Sequence, residues 1–402
     1  MLWGGIITGL PMPDKQNLSD EEFYNRTAEL DNLIQLLDST KNGNAPDLLV
    51  TGVRGVGKTV FLRKIKRQLE KDYLVVYVDF SRAECYQKNN LSIDGLMEHY
   101  YKEIMKECQE NMLLTIDKKI KKYIKTNNFR IKDLKDVGGY PIPLIDSQKN
   151  SEEFVNFTMN LPQQIYEENE FLYKGIIIFI DEFQIIKELG KYMDSFLWKF
   201  RSFMQDQNYV SYVLSGSMGL QDELIYKIAS HKGVFGGRMI TFQINPFDKS
   251  TVKKYLEEKA DNLIFSKDGF ERFYKCTSGI PSYINLFGRL LPKDILLTSK
   301  MVKAEFINSI PYLANHLINV WARLSQTEQE IIISLLDSPL KRIDIAKYVG
   351  MASGSLSRPL TNLQNQGVIM MNDGLYNLNE PMLAKWLKYE YDKTGVYPYK
   401  KI

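Results

Sequence analysis

The sequence predicts an α/β protein in which helices cover a parallel β-sheet and two smaller, mostly helical units follow. Up to about residue 250, short β-branched runs alternate with helical patterns, which is typical of strand–helix–strand units. After Asn245-Pro246 the strand signals stop and the helical patterns continue. At roughly 150 residues per domain, the 402 residues allow about two to three domains, so the chain is long enough for a sizeable core.

The α/β domain is expected to span residues 1–248. Its predicted strands are Leu48 to Thr51, Leu74 to Phe80, Ile176 to Asp181, Tyr209 to Ser215 and Met239 to Ile244. The stretch between Ser92 and Tyr173 is mostly helical in pattern and is broken by a loop at residues 136–143. We interpret residues 92–173 as an insertion within this domain.

Two further units are expected after the sheet. Residues 249–312 have helical patterns with a break near Gly279, which predicts a small helical domain. In residues 313–402, Ser325 and Glu328 form a capping box before an apolar helix. A second helix follows Pro339, a third runs from Ser353 to Gln366, and residues 368–378 carry the hairpin turn Asp373-Gly374. Three helices and a hairpin in this order predict a winged helix.

The composition excludes several classes of protein. With 44% hydrophobic and 25% charged residues, the chain is expected to be neither disordered nor a coiled-coil rod. The 52 basic and 49 acidic residues leave a net charge of +3, so there is no strong overall bias toward nucleic acid or an anionic membrane. The 3 cysteines are far apart, and the apolar N-terminus is too short to span a bilayer. We expect a cytoplasmic protein without a transmembrane segment.

A glycine-rich segment after the first predicted strand matches the phosphate-binding loop pattern. Its glycines let backbone N–H groups curl around phosphate oxygens, and the helix that begins there directs its positive end at the anion. Lys58 would reach the β- and γ-phosphates, and the Thr59 hydroxyl would bind Mg²⁺. The expected nucleotide-binding residues of this segment are Gly52, Val53, Arg54, Gly55, Val56, Gly57, Lys58, Thr59 and Val60.

A phosphate loop requires a second strand that carries carboxylates, and the run Ile176 to Ile180 followed by Asp181-Glu182 supplies it. Asp181 would hold Mg²⁺ through water, and Glu182 would polarise the attacking water. An acidic pair at the end of a strand is a weak signal alone, but it is strong together with the loop. The guanine-specific pattern Asn-Lys-x-Asp is absent from the sequence, which favours ATP over GTP. The predicted fold class is thus a P-loop NTPase.

The chain resembles the archaeal-type ATPase family, a branch of P-loop ATPases near the STAND signalling ATPases and the origin-recognition AAA+ proteins. The resemblance extends from Phe23 to about Trp386 and depends on the order of several motifs. Besides the phosphate loop and the winged helix, these are Phe23-Tyr24-Asn25-Arg26-Thr27-Ala28-Glu29-Leu30, Ile180-Asp181-Glu182-Phe183-Gln184, Leu214-Ser215-Gly216-Ser217, Phe235-Gly236-Gly237-Arg238 and Gly279-Ile280-Pro281.

The resemblance implies roles for two residues near the nucleotide. Arg26 belongs to a box that lies near the adenine in such families, although Asn25 stands where the family usually has Gly. The alternative is a capped surface helix in which Arg26 pairs with Glu29. Ser215 ends the fourth predicted strand, where related ATPases place a polar sensor of the γ-phosphate. Ser217 is the rival for this role, and a simple turn former is the alternative.

The resemblance also implies contacts from further along the chain. Arg238 has the position of an AAA+ arginine finger, which a neighbouring subunit supplies, so the chain would form a homo-oligomer; a structural arginine is the alternative. Pro281 belongs to the element that packs a helical lid on the nucleotide, and its alternative is an ordinary helix start. Ser282 stands where many members carry a second sensing arginine, and Arg289 lies further along the same helix.

Double-stranded DNA is a candidate partner. The third helix of the winged helix offers polar side chains, but residues 325–402 hold nine basic against eight acidic residues, so binding by this unit alone would be weak at physiological salt. The segment Asp117 to Lys135 has eight basic and two acidic residues, a net charge of +6, with Tyr123 and Phe129 interleaved. A solvated helix face is its alternative explanation.

These observations predict an ATP-binding and ATP-hydrolysing molecular switch that associates with DNA through the winged helix and the basic segment. Its cofactors would be ATP and Mg²⁺. The first alternative is a STAND-like signalling ATPase whose winged helix binds protein. The second is a regulator that binds nucleotide without turnover.

Overall fold

The computed structural model describes residues 10–11, 18–19, 22–113, 125–126, 131–132, 142–143, 147–218 and 223–398. Within these residues the strands, in chain order, are β1 (Leu48–Thr51), β2 (Leu74–Asp79), β3 (Ile131–Lys132), β4 (Ile142–Pro143), β5 (Ile176–Asp181), β6 (Val210–Gly216), β7 (Ile240–Gln243), β8 (Ile264–Phe265), β9 (Leu296–Leu297), β10 (Leu340–Lys341), β11 (Ile369–Asn372) and β12 (Leu375–Leu378).

The main helices of the described residues are α1 (Thr27–Asp38), α2 (Lys58–Leu69), α3 (Glu84–Gln87), α4 (Ile93–Glu110), α5 (Gln148–Asn169), α6 (Met193–Gln205), α7 (Glu223–Ala229), α8 (Lys249–Lys259), α9 (Lys267–Thr277), α10 (Pro281–Leu290), α11 (Ser299–Leu313), α12 (Asn315–Arg323), α13 (Gln326–Ser334), α14 (Arg342–Val349), α15 (Ser357–Asn365) and α16 (Pro381–Thr394). None of them combines the length and apolar character needed to span a bilayer.

The centre of the protein is a five-stranded sheet in the order β2-β5-β6-β1-β7, and every neighbouring pair is parallel. The predicted strands match these five within one residue at each end. Strands β1, β5 and β6 are buried along their whole length, because helices cover both faces. This explains why they are nearly continuous apolar runs rather than alternating ones.

Two groups of helices cover the sheet. On one face, α1 and α2 bury Leu33 and Phe61 against Val50 and Phe179. On the other face, α4, α5 and α6 enclose a second core that includes Tyr100. Helices α4 and α5 lie within residues 92–173, so the two ends of the predicted insertion pack on the sheet. Most of the basic segment Asp117 to Lys135 lies outside the described residues.

The chain after the sheet shares one hydrophobic core. It runs from Val252 on α8 through Phe287 on α10 to Leu387 on α16. The sequence predicted only helices for residues 249–312, but the structure adds the two-residue strands β8 and β9, which pair in parallel. Such short pairings leave too little sequence to carry a strand pattern.

Residues 325–378 form a three-helix unit with a small antiparallel sheet. The capping box of Ser325 and Glu328 is present at the start of α13. Helices α14 and α15 follow, and a 3-10 helix at Ser353–Leu356 leads into α15. Strands β11 and β12 form the predicted hairpin, with Asp373 at φ 49° and Gly374 at φ 78°, and β10 pairs with β12. Positive φ at both turn residues is what a type I′ hairpin turn requires.

Candidate nucleotide-binding site

The phosphate loop joins β1 to α2 through glycines in conformations that other residues rarely adopt. Gly52, Gly55 and Gly57 have φ values of 152°, 78° and 101°. A Cβ atom on Gly52 would lie 2.4 Å from the carbonyl oxygen of Ile244, which follows β7. Both constraints favour glycine, so the local fold depends on the same residues that the motif requires.

Lys58 is the first residue of α2, and its side chain turns back into the loop. Its Nζ donates to the carbonyl oxygens of Gly52 at 2.9 Å and Val53 at 3.2 Å, and to Ser217 Oγ at 3.0 Å. Burial lowers the pKa of Lys58 to about 8, although Glu182 and Asp181 oppose this change. A poorly solvated ammonium group held by neutral oxygens is a strong site for a phosphate anion.

Asp181 at the end of β5 receives two hydroxyl donors. Thr59 Oγ1 lies 2.7 Å and the Tyr77 hydroxyl 2.5 Å from Asp181 Oδ2. The guanidinium carbon of Arg63 lies 4.7 Å from the centre of the Tyr77 ring. Burial, together with the nearby Asp181 carboxylate, raises the pKa of Tyr77, so this hydroxyl stays a donor. Tyr77 was not predicted as a site residue, although a tyrosine among the aliphatic residues of β2 was a usable signal.

Glu182 follows Asp181 in a left-handed conformation, with φ 54° and ψ 35°. This conformation is unusual for a residue with a side chain and is common at functional sites. Burial and the Asp181 charge raise the pKa of Glu182, while Lys58 and the exposed Arg54 lower it. Its carboxylate lines the same cavity as Lys58.

The two candidate sensor serines occupy different environments. Ser215 lies beside Val50 within the sheet and is fully buried. Among the described residues its hydroxyl has no hydrogen-bond partner. Ser217 lies just beyond β6, lines the cavity and accepts the hydrogen bond from Lys58. The structure therefore brings Ser217, and not Ser215, to the phosphate side of the site.

Arg26 connects the N-terminal box to the phosphate loop. It is buried, and its Nη2 donates to the carbonyl oxygens of Val56 at 3.3 Å and Asn245 at 2.7 Å. Its guanidinium carbon lies 5.0 Å from the centre of the Phe247 ring. Asn25, which replaces the usual Gly, has φ 59°, a value that Asn tolerates better than most residues. The box is thus part of the cavity wall rather than a surface helix.

The helical unit of residues 249–312, called the lid from here on, contacts the phosphate loop at the start of α10. Ser282 N donates to the carbonyl oxygen of Gly55 at 3.2 Å, and a Cβ atom on Gly55 would lie 2.1 Å from Ser282 Oγ. Pro281, at the first position of α10, lines the cavity. Arg289 points elsewhere, because its Nη2 donates to the carbonyl oxygen of Leu10 at 2.6 Å.

These elements enclose a cavity of about 330 Å³, a volume in the range of small-molecule sites. Aromatic rings form one wall: the rings of Tyr24 and Tyr255 are tilted against each other with centroids 4.9 Å apart, and the Tyr255 hydroxyl donates to Asn285 Oδ1 at 2.8 Å. Phe247, Tyr255 and Asn285 were not predicted as site residues, because they lie far from the phosphate loop in sequence and reach it only through the packing of α8 and α10. The lining residues are Pro11, Leu18, Glu22, Phe23, Tyr24, Arg26, Arg54, Gly55, Val56, Gly57, Lys58, Thr59, Val60, Glu182, Ser217, Phe247, Tyr255, Pro281, Ser282 and Asn285.

Arg238 lies away from this cavity. It is exposed and precedes Ile240, which pairs with Leu48 at the start of β1. The phosphate loop begins after Thr51, so the length of β1, roughly 10 Å at 3.3 Å per residue, separates Arg238 from the loop. Arg238 therefore lies near the opposite end of β1 from the phosphate loop of its own chain.

Comparisons with known proteins agree with this site. A family model described as an ATPase domain predominantly from Archaea matches residues 23–287. An ATP-binding protein of Methanocaldococcus jannaschii is 24% identical over 271 residues, covering 65% of this chain and 68% of the relative. A second ATP-binding protein of that organism is 23% identical over 346 residues, covering 78% of this chain and 86% of the relative.

The fold has a similar solved structure. A Walker-type ATPase of Pyrococcus abyssi superposes with a TM-score of 0.62 and 19% identity, covering 93% of this chain and 99% of that one. The family model covers the phosphate loop, Asp181-Glu182 and the start of the lid, which is more than half of the chain. The protein belongs to the archaeal ATPase family and is an ATP-binding ATPase.

Proposed function

We propose that the protein is an ATP-driven molecular switch that hydrolyses ATP with Lys58, Thr59, Asp181 and Glu182. The observation that carries this proposal is the convergence of these residues. Lys58 and Glu182 line one cavity, and Thr59 Oγ1 donates a hydrogen bond to Asp181 Oδ2 at 2.7 Å. Exchanging Glu182 for Gln tests it, because that variant keeps the shape of the site and removes the base.

Thr59 and Asp181 fit a Mg²⁺ ion. A hydroxyl and a carboxylate are oxygen donors of the kind Mg²⁺ prefers, and few protein ligands are needed because phosphates and water supply the others. When bound, the ion neutralises charge on the β- and γ-phosphate oxygens. The Tyr77 hydroxyl donates to the same oxygen of Asp181 as Thr59 does, which restricts the orientation of the carboxylate further.

Hydrolysis would proceed by in-line attack of water on the γ-phosphorus. The new bond joins the water oxygen to phosphorus, and the bond from phosphorus to the β–γ bridging oxygen breaks, which releases ADP and phosphate. Glu182 would orient this water and accept its proton, a role that suits a carboxylate whose pKa burial has raised. Lys58 and the loop N–H groups would stabilise the charge on the departing oxygen.

The proposed site also includes Ser217, Arg26 and a neighbouring subunit. Ser217 would sense the γ-phosphate, because its hydroxyl contacts Lys58. Arg26 belongs to the N-terminal box that would lie beside the adenine. Arg238 would act on the ATP of a second copy of this chain, since it is exposed and lies at the opposite end of β1 from its own loop. An arginine supplied in this way is worth about 10³ to 10⁵ in rate.

We propose that residues 325–378 act as a winged helix that associates with double-stranded DNA. On α15 and the turn before it, Ser355, Arg358, Thr361 and Asn362 are all exposed. Polar side chains on such a helix suit contacts with base edges and phosphates. The net charge of +6 in Asp117 to Lys135 would supply most of the phosphate attraction.

A specific observation favours the alternative of a signalling ATPase whose C-terminal unit binds protein. The same unit exposes Ile343, Tyr348 and Met371, with 57%, 61% and 46% of their surface accessible. Apolar side chains of this kind suit a protein partner more than a DNA backbone. Under either function we infer a reducing compartment such as the cytoplasm, because Cys85, Cys108 and Cys276, all of them described, are free thiols.

Titration of the full-length protein onto a fluorescent duplex across a salt series separates the two partners. DNA association predicts binding at low salt that weakens steeply as salt rises, and further weakening when Lys118, Lys119 and Lys121 are changed together to Ala. The control changes Lys254, Lys300 and Lys303, which are exposed on the helical lid. Absence of duplex binding at low salt would overturn the DNA proposal and leave the protein-binding alternative.

A further inference from the structure

Gln184 joins the carboxylate of Glu182 to the loop that carries Ser217. Its Nε2 donates a short hydrogen bond to Glu182 Oε2. Its Oε1 accepts from the backbone N of Ser217 at 3.1 Å. Ser217 in turn accepts from Lys58 through its hydroxyl. The side-chain amide of Gln184 therefore links Glu182, which is proposed to activate water, to Ser217, which is proposed to sense the γ-phosphate.

The hydrogen bonds leave one orientation for this amide. The backbone N–H of Ser217 can only donate, so the amide oxygen must face it and the NH₂ group must face Glu182. An NH₂ group only donates, so its partner must accept, which favours the ionised carboxylate.

The backbone on both sides of Gln184 is held in place by buried neighbours, and Gly216 leaves space for the Gln184 side chain. Phe183 and Ile185 on either side are buried, and the Phe183 ring stacks on Phe80 with centroids 6.0 Å apart. A Cβ atom on Gly216 would lie 2.5 Å from Gln184 Oε1. The glycine at the end of β6 thus leaves the space that the amide occupies.

We propose that Gln184 is a positioning residue for ATP hydrolysis, which orients the Glu182 carboxylate and ties its position to Ser217. This inference rests on the proposed hydrolytic role of Glu182. Gln184 is not among the residues that line the nucleotide cavity, and it lines an adjoining cavity with Glu182 and Ser217. Its hydrogen bond to Glu182 is the contact through which it would act on hydrolysis.

Steady-state hydrolysis by the full-length protein over a range of ATP concentrations tests the role. Gln184→Ala is expected to lower kcat about tenfold and to leave KM for ATP within about twofold, since one hydrogen bond to a charged group is lost. Gly216→Ala, which pushes the amide away from the opposite side, is expected to give the same changes.

Gln184→Glu separates hydrogen bonding from space filling. The new side chain has the same shape and can still accept from Ser217 N, but its carboxylate cannot donate to Glu182 and repels it. We expect a loss of kcat at least equal to that of Gln184→Ala, again with KM for ATP within about twofold of wild type. Gln109→Ala, on an exposed position of α4, is the control that stays at wild-type activity.

A double variant decides whether Gln184 acts through Glu182. In the Glu182→Gln background, Gln184→Ala is expected to cause no further loss, because the group it positions is already gone. Wild-type kcat in Gln184→Ala and Gln184→Glu, with Glu182→Gln inactive, would overturn the Gln184 proposal alone. Full hydrolysis by Glu182→Gln would instead overturn the proposed function on which it rests.

Discussion

At the scale of single residues, the site combines groups that are costly to bury. Lys58 is 6% exposed, and burial holds its pKa at about 8, yet three oxygens accept its hydrogen bonds. Glu182 adopts a left-handed backbone and its pKa is raised. Neither feature stabilises the folded chain. Both are explained if the site is organised for an anionic ligand that lies between Lys58 and Asp181.

The two serines near the end of β6 provide a test at this scale. Ser217→Ala is expected to lower kcat about tenfold or more, because a hydroxyl that contacts Lys58 on the phosphate side is removed. Ser215→Ala is the matched change two residues away, and its kcat is expected to stay within about twofold of wild type. Phosphate-release assays at saturating ATP compare the two. A large loss in Ser215→Ala with a silent Ser217→Ala would reverse the assignment.

At the scale of helices and strands, local signals predicted much of the fold. The strands of the central sheet are long apolar runs, and the capping box of Ser325 and Glu328 marks a helix start, so each depends on a few neighbouring residues. The order of the strands has no such local signal, because it depends on how distant elements pack against each other. In the sheet, β6 lies between β1 and β5, which places Ser217 beside Lys58 although 159 positions separate them.

The cavity was predictable only in part for the same reason. The phosphate loop and Asp181-Glu182 are recognisable because each is contiguous in sequence. The remaining wall is formed by Phe247, which precedes α8, together with Tyr255 on α8 and Asn285 on α10. Each of them is buried in the way that core residues are. Choosing between Ser215 and Ser217 required the direction of each side chain, which depends on where the strand ends.

The contact between the phosphate loop and α10 gives a prediction for these elements. Gly55→Ala is expected to lower stability by about 1–3 kcal/mol, because Ala is strained at φ 78° and its Cβ would collide with Ser282 Oγ. Thermal unfolding without nucleotide measures it. Gly57→Ala is the control. Gly57 also has a positive φ, 101°, but no atom lies within 4 Å of the added Cβ, so this variant has the backbone strain without the collision.

Adding Ser282→Gly to Gly55→Ala removes the colliding side chain and is expected to restore part of the lost stability. If Gly55→Ala and Gly57→Ala unfold at the same temperature, the lid does not press on the loop as described.

At the scale of the whole molecule, the lid and the C-terminal unit share one core, from Val252 to Leu387. A single core means that a displacement of α10 on the phosphate loop would be transmitted to α13, α14 and α15 more readily than across two separate cores. This gives a physical route by which nucleotide state would change the surface that the C-terminal unit presents.

The proposed role of Arg238 in a second copy of the chain gives a prediction for the whole molecule. Arg238→Ala is expected to lower hydrolysis at least tenfold while nucleotide binding is kept, and Lys232→Ala, an exposed neighbour, is the control. Mixing Arg238→Ala with Glu182→Gln is expected to recover activity, because one chain supplies an intact site and the other an intact arginine. No recovery, together with an unchanged monomer by native mass measurement in ATP and in ADP, would leave Arg238 with a structural role only.

The most direct test of the account is phosphate release by Glu182→Gln under conditions where ATP binding is measured on the same sample. The account predicts that ATP still binds, since Lys58 and the loop are intact, and that release falls by about 10² or more because the water is no longer activated. Lys58→Ala, which is expected to lose binding itself, is the control. Phosphate release by Glu182→Gln at the wild-type rate would contradict the proposed mechanism.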